Sequence, residues 1–254
     1  MKSTVLALMF CFCLCFSSRA IAAFGPEIDK TPVFEENFDK DKLDETVWKL
    51  GTWKEHKGQL SPDRLVLKDG MLNMVLRYDG ASKTVLSSAL QTKQEFLYGR
   101  WEFRAKIASE KGVLNSFYTI DWGAEGKGTK QEIDIEFLTI AKNKVHLAVH
   151  MAGKKSTSTS PDIDLGFNAS ADFHVYGFEI TPEKIEWLAD GKVIYTYNYS
   201  GNDIKINSPY LLKLNTRGDS GWVKGPPKAD TDCLYLIDWI KFYPYKEYKK
   251  PEAK

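Results

Sequence analysis

Cysteine is nearly absent where it could matter. Of four cysteines, Cys11, Cys13 and Cys15 fall within the first 23 residues, which leaves Cys233 alone in the remainder. A single thiol can neither close an internal disulfide nor join a cysteine cluster for zinc, so this part of the chain must be held by its core. A surplus of charge is missing too. The formal net charge of the 254 residues is +1, and so balanced a chain implies no attraction to nucleic acid or to a membrane surface. Long helical periodicity, internal repeats, heptads and low-complexity linkers are all lacking. The glycine-rich GAEGKG from Gly123 has neither the spacing nor the following helix of a phosphate loop, which removes that route to nucleotide binding.

Long apolar runs are confined to one place. Val5 to Phe16 is unbroken, preceded by Lys2 and followed by SSRAIAA with small residues at Ala20, Ala22 and Ala23. That is the plan of a secretory signal peptide cleaved near Ala23, and the run is shorter than the roughly 20 residues that span a bilayer. Residues 1–23 are therefore expected to leave, and 24–254 to form a single domain that is secreted or periplasmic and has no membrane attachment. Removal takes away Lys2 and Arg19 and no acid, bringing the formal charge to −1. Two Asn-x-Ser sequons, at Asn168 and Asn198, would matter only in a eukaryotic secretory path.

From about Phe34 onward, short alternating apolar and polar runs recur, rich in β-branched and aromatic residues. RLVLKDGMLNMVLRYDG, YGRWEFRAKI, KVHLAVHM, KIEWLADGKVIYTYNY and CLYLIDWIKFY are examples. Asp69-Gly70 and Asp190-Gly191 sit between such runs, where a tight hairpin turn needs positive φ. The expected fold is all-β, an antiparallel sandwich or barrel in one domain. KKSTSTSPD from Lys154 reads as an exposed loop and YKEYKKPEAK at the end as a solvated tail.

The chemistry points to KQEIDIEFLT. Glu132, Asp134 and Glu136 alternate with Ile133, Ile135 and Phe137, so in a strand the acids share one face and the apolar residues the other. A solvated strand face is the plain alternative, but three like charges with no interleaved base repel one another along the row. Glycoside hydrolysis supplies a use for them. One carboxylate attacks the anomeric carbon while another, kept protonated, gives its proton to the leaving oxygen, the two lying about 5 to 5.5 Å apart in retaining enzymes. Alternate strand positions are roughly 6.6 Å apart and the outer pair roughly 13 Å, so the outer side chains must lean inward on a twisted strand.

EIDIEF resembles the signature of glycoside hydrolase family 16, which includes lichenases, laminarinases, agarases, carrageenases and xyloglucan transglycosylases. The resemblance extends through YGRWEFRAKI, GVLNSFYTIDW, LGFNASADFHVYGFEITPEKIEWLADGKVI and LYLIDWIKFY. It implies a two-sheet jelly roll of the concanavalin A type with a concave cleft, and retention of anomeric configuration. It also implies Glu132 as nucleophile, Asp134 as its hydrogen-bonded partner and Glu136 as general acid/base, with a polysaccharide substrate, a monomeric chain and no cofactor for the chemistry. The favoured substrate is β-1,3 or mixed β-1,3/1,4 glucan. An acidic or sulfated glycan, transglycosylation, and a non-catalytic glycan-binding sandwich stay open.

A sugar cleft mixes aromatic rings with polar groups. Tyr118, Trp122 and Trp222, beside glycine or at strand ends, are candidates for stacking, whereas Trp101, Trp187 and Trp239 lie in alternating runs that suit a core. His146 and His150 share a strand face, and His150 is taken as a substrate contact. Lys213, Asn215 and Arg217 alternate with Leu212, Leu214 and Thr216. They are candidate cleft residues, with a charged exposed strand as the alternative. The chain departs from the lichenase pattern in writing SSALQTK, so Ala89 and Gln91 stand where that pattern carries an acid and an arginine. Family resemblance also implies a structural calcium, with Asp238 and Gly70 as its matching positions and oxygen as its ligand chemistry.

Overall fold

The structure is a computed structural model that describes residues 28–55, 58–122, 129–154, 157–158, 162–218 and 221–246. The signal-peptide segment, the GAEGKG loop, most of the serine-threonine loop and most of the terminal tail lie outside these residues. Among the described residues nearly all regular structure is strand. The first eight are β1 (Phe34–Glu36), β2 (Trp48–Leu50), β3 (Lys54–Glu55), β4 (Gly58–Leu60), β5 (Leu65–Lys68), β6 (Met71–Asp79), β7 (Thr84–Ser87) and β8 (Ala89–Thr92). Next come β9 (Gly99–Lys106), β10 (Leu114–Ile120), β11 (Glu132–Leu138), β12 (Lys144–His150), β13 (Thr157–Ser158) and β14 (Ile163–Asp164). The last are β15 (His174–Ile180), β16 (Lys184–Ala189), β17 (Lys192–Asn198), β18 (Leu211–Arg217) and β19 (Asp232–Pro244).

They form two sheets. The larger runs β17-β16-β15-β9-β19-β6-β7-β4-β3, with β1 added on β19 and β5 on β6. The smaller runs β13-β12-β11-β10-β18-β8-β2, with β14 on β12. Pairing is antiparallel throughout except between β4 and β7, which run parallel. Both hairpins expected from Asp-Gly are present. Asp69 and Gly70 have φ of 56° and 69°, Asp190 and Gly191 of 48° and 73°, the two consecutive positive values that match a hairpin turn to strand twist.

Alternation explains how the sheets stack. Ile133, Ile135 and Phe137 of β11 and Phe117 of β10 are buried against Trp101, Phe103, Tyr176 and Phe178 of the larger sheet. Phe103 and Phe117 stack face to face at 3.8 Å. Trp101 and Trp187 are core residues as expected. Trp239 is not. A register shift in β19 between Ile237 and Trp239 turns its ring toward the outer face, where Lys241 Nζ lies 5.1 Å from it. That outer face also carries ion pairs, of Arg100 with Glu102 and Glu179 and of Lys184 with Glu186.

At Gly177 an added Cβ would lie 2.2 Å from the Trp101 carbonyl oxygen of the neighbouring strand. Backbone cannot yield as a side chain can, so Gly177→Ala is expected to cost about 1–3 kcal/mol, read as a lowered urea midpoint with unchanged slope.

Candidate active site

β11 lies in the middle of the smaller sheet, between β10 and β12. Its register sets Glu132 opposite His150 and Ile120, Asp134 opposite Ala148 and Tyr118, and Glu136 opposite His146 and Ser116. Directly paired residues share a face, so the three acids, Tyr118, Ser116 and both histidines look outward while Ile133 and Ile135 enter the core. β18 extends the same face, pairing Lys213 with Tyr118 and Asn215 with Ser116. A cavity of about 200 Å³ is lined by Ser116, Tyr118, Trp122, Asn215, Arg217 and the three acids. From the opposite sheet, Trp187 Nε1 crosses the core to donate to the Asp134 carbonyl oxygen at 3.1 Å, anchoring the middle of β11 from behind.

Burial is uneven along the row. Asp134 is buried and its carboxyl is held well above the usual range, first by loss of solvent, then by the negative Glu132 beside it and by a hydrogen bond to Glu132. Such a bond favours the protonated form as donor, which leaves the charge on Glu132. Burial, with Asp134 and Glu132 adding repulsion, also pushes Glu136 up to about 8, against the opposing pull of Arg217 and His150. His150 Nε2 lies 3.2 Å from Asp134 Oδ2, yet that oxygen makes no hydrogen bond. The contact is therefore electrostatic proximity with poor alignment.

The walls are tied down by polar contacts. Asp121 Oδ2 accepts from the Thr129 amide at 3.0 Å, the Thr129 hydroxyl at 2.7 Å and the Ser208 hydroxyl at 2.8 Å. Gln131 exchanges two 2.8 Å hydrogen bonds with Asn207. Ser116 donates to Asn215 Oδ1 on the floor. Trp122 and Trp222 are 43% and 45% exposed, and Trp222 meets the edge of His146 at 5.2 Å, while His146 Nδ1 contacts Asp162 at 3.1 Å.

Most of the expected cleft residues are brought together here. The exposed-edge alternative for Lys213, Asn215 and Arg217 is corrected, because β18 is an interior strand and Lys213 and Asn215 are buried. Trp53 was missed by sequence reasoning. It follows β2 and its ring lies 4.7 Å from Lys213 Nζ; the available signal was a tryptophan near Gly51, of the same kind that marked Trp122 and Trp222. Asp238 and Gly70 lie away from this face. The Asp238 carboxylate is engaged by the Arg104 guanidinium, a cation already beside the oxygens that a metal would use.

A two-sheet β-sandwich with a row of partly buried carboxylates on one outer face defines a carboxylate-dependent glycosidase of the jelly-roll class. The chain belongs to the glycosyl hydrolases family 16, whose model matches residues 45–241. It is 33% identical to a beta-glucanase of Acetivibrio thermocellus over 96% of this chain and 73% of that one. It is 27% identical to a beta-glucanase of Brevibacillus brevis over 97% of this chain and 95% of that one. A β-1,3-1,4-glucanase (lichenase) derived from a mouse hindgut metagenome superposes with TM-score 0.67 at 29% identity, covering 83% of this chain and 98% of that chain. The catalytic domain of an endo-1,3-beta-glucanase (laminarinase) from Thermotoga petrophila, at 23% identity, shares the fold with TM-score 0.76 over 87% of this chain and all of that one.

Proposed function

We propose that the chain is an exported, endo-acting, retaining glycosidase of β-1,3 or mixed β-1,3/1,4 glucan. The observation that carries this reading is the acid row, with buried Asp134 hydrogen-bonded to Glu132 and with Glu136 protonated up to about pH 8. Glu132, left as the anion, attacks the anomeric carbon as Glu136 gives its proton to the departing glycosidic oxygen, and a glycosyl ester forms on Glu132. Glu136, now a base, takes a proton from water, whose oxygen displaces Glu132 from the anomeric carbon. The two displacements at one carbon restore its configuration. Asp134 touches the nucleophile and acts by holding a proton beside it. Asn215, Tyr118 and the exposed Trp122 and Trp222 would hold the sugars on either side.

The names of the relatives support glucan as the backbone, and the apolar run ahead of Ala23 supports export. The test is reducing-end release from laminarin, lichenan and xyloglucan, with the anomer of the first product followed by NMR before mutarotation. β-Product from laminarin or lichenan is expected. First-formed α-product would overturn the mechanism, and cleavage of xyloglucan alone the substrate.

Family 16 resemblance implied a structural calcium, but Arg104 already neutralises Asp238. A chelator is therefore expected to leave the melting temperature unchanged. A fall reversed by calcium would mean that the ion displaces the guanidinium.

A further inference from the structure

The strand that bears the acid row enters the cleft through a kink. Opposite Asp121, just past the end of β10, stand two residues, Lys130 and Gln131. The Lys130 amide donates to the Asp121 carbonyl oxygen at 2.8 Å, and the Asp121 amide donates to the Gln131 carbonyl oxygen at 3.0 Å. Lys130 has φ of 52°. Two residues against one, the first of them left-handed, make a β-bulge of the kind that ordinarily carries glycine at that first position. A bulge turns the strand that contains it and re-aims the side chains that follow. Here the next residue is Glu132, where regular pairing with Ile120 begins, so the direction in which β11 presents its first carboxylate is set just upstream.

Lysine does not prefer this backbone, and a left-handed residue with a Cβ persists only where its surroundings over-determine it. Two clamps do so. Alternation puts Gln131 on the face of Ile133 and Ile135, away from the cleft, and it is 1% exposed. Its side-chain amide donates to Asn207 Oδ1 and accepts from the backbone amides of Asn207 and, at 3.4 Å, Ser208. On the other side of the bulge Asp121 Oδ2 gathers the Thr129 amide and hydroxyl and the Ser208 hydroxyl, while the Thr129 carbonyl oxygen accepts from the Ala152 amide beyond β12. Both clamps therefore end on Asn207 and Ser208. That segment is a fixed post, since Ile206 and Tyr210 on either side of it are buried in the core and the Tyr210 hydroxyl donates to the Leu97 carbonyl oxygen at 2.7 Å. It runs directly into β18, which carries Asn215, so the entry of the acid strand is tied to a second strand of the cleft.

We infer that Gln131, through Asn207, and Asp121, through Thr129 and Ser208, are positioning residues that hold the Lys130 bulge and thereby aim the Glu132 carboxylate at the anomeric carbon, a role that rests on the glycosidase reading above and deepens it. Gln131 acts from the core side of the strand and touches no sugar. Its loss should be felt in the attack by Glu132, because a nucleophile displaced by about 1 Å can lose 10² in rate, while the rings and polar groups on other elements go on binding the glycan.

The experiment pairs initial rates on laminarin and lichenan with hydrogen exchange of the Asp121 and Lys130 amides, which make the two bonds of the bulge. Gln131→Leu fills the same buried space without the hydrogen bonds. It is expected to lower kcat by about 10- to 100-fold with KM nearly unchanged, and to speed exchange of both amides by about tenfold relative to the centre of β11. Gln131→Glu, assayed at about pH 5 where so buried a carboxyl stays neutral, offers the same donor and acceptor and should restore most of kcat. If Gln131→Leu prevents folding, Asn207→Ala at the exposed end of the clamp carries the same pattern with a smaller loss. Lys130 gives an independent check, because Lys130→Gly and Lys130→Val both remove the ammonium and only valine resists positive φ. The glycine variant should exceed the valine variant in kcat by about tenfold. Unchanged exchange in Gln131→Leu overturns the clamp. Faster exchange with unchanged kcat, or equal kcat in the two Lys130 variants, makes it a stability device and overturns the positioning role. If the parent chain cleaves neither glucan, the glucan reading fails while exchange still decides the clamp.

Discussion

Glu132→Ala is expected to lose kcat by a factor on the order of 10⁴–10⁶ and to regain turnover when azide is added. Removing the carboxylate opens space at the anomeric carbon for a small anion, which attacks from the side Glu132 used and leaves an α-glycosyl azide after one displacement. Glu136→Ala should respond differently. With an activated leaving group its glycosyl ester still forms on Glu132, and azide then displaces the ester to give the β-glycosyl azide. Product configuration in the two variants therefore separates nucleophile from acid/base by chemistry, independent of how far each rate falls. α-Azide from the Glu136 variant, or no rescue of the Glu132 variant, would reverse or remove the assignment.

The second large effect couples pH to both rate and stability through Glu136. As general acid it must be protonated, so kcat/KM is expected to fall as pH rises through about 8, and Glu136→Gln should lose that limb together with about 10²–10⁴ in rate. Stability follows the same proton. The folded carboxyl is raised from 4.5 to about 8, so between these values the folded chain binds a proton that the unfolded chain has released. Its contribution is fully present below 4.5 and is lost as pH climbs through 8. Glu136→Gln needs no such proton and should gain melting temperature over the parent at pH 8, with the gap closing near pH 4. A variant equally or less stable than the parent at pH 8 would mean that the site does not strain this carboxyl. Asp134→Asn, at the buried centre of the row, should shift stability in the same direction.

Particular residues explain what could be seen in the sequence. EIDIEF announces its own geometry, since period-two alternation places three acids on one face whatever the strand's neighbours. Asp-Gly pairs announce their hairpins through the same local physics of positive φ. Trp239 misled because alternation assumes an unbroken register, and a shift of one position in β19 moved its ring to the outer face. The parallel β4–β7 contact was invisible, and the choice between cleft and edge for β18 stayed open, for a related reason. Strand order depends on partners far apart in sequence, and a basic strand such as LLKLNTR reads alike at an edge and in a cleft.

The sequence by itself determined the strand class, the turns, which side chains face together along each strand, and the acid row with its chemistry. These follow from local backbone sterics and a two-residue period. Only the tertiary structure decided that Lys213 enters the cleft beside Trp53 and Trp122, that Arg104 occupies Asp238, and that Glu136 keeps its proton to about pH 8. Each depends on burial and on charges brought together from distant strands, and electrostatics in a desolvated site is set by neighbours that sequence order does not name.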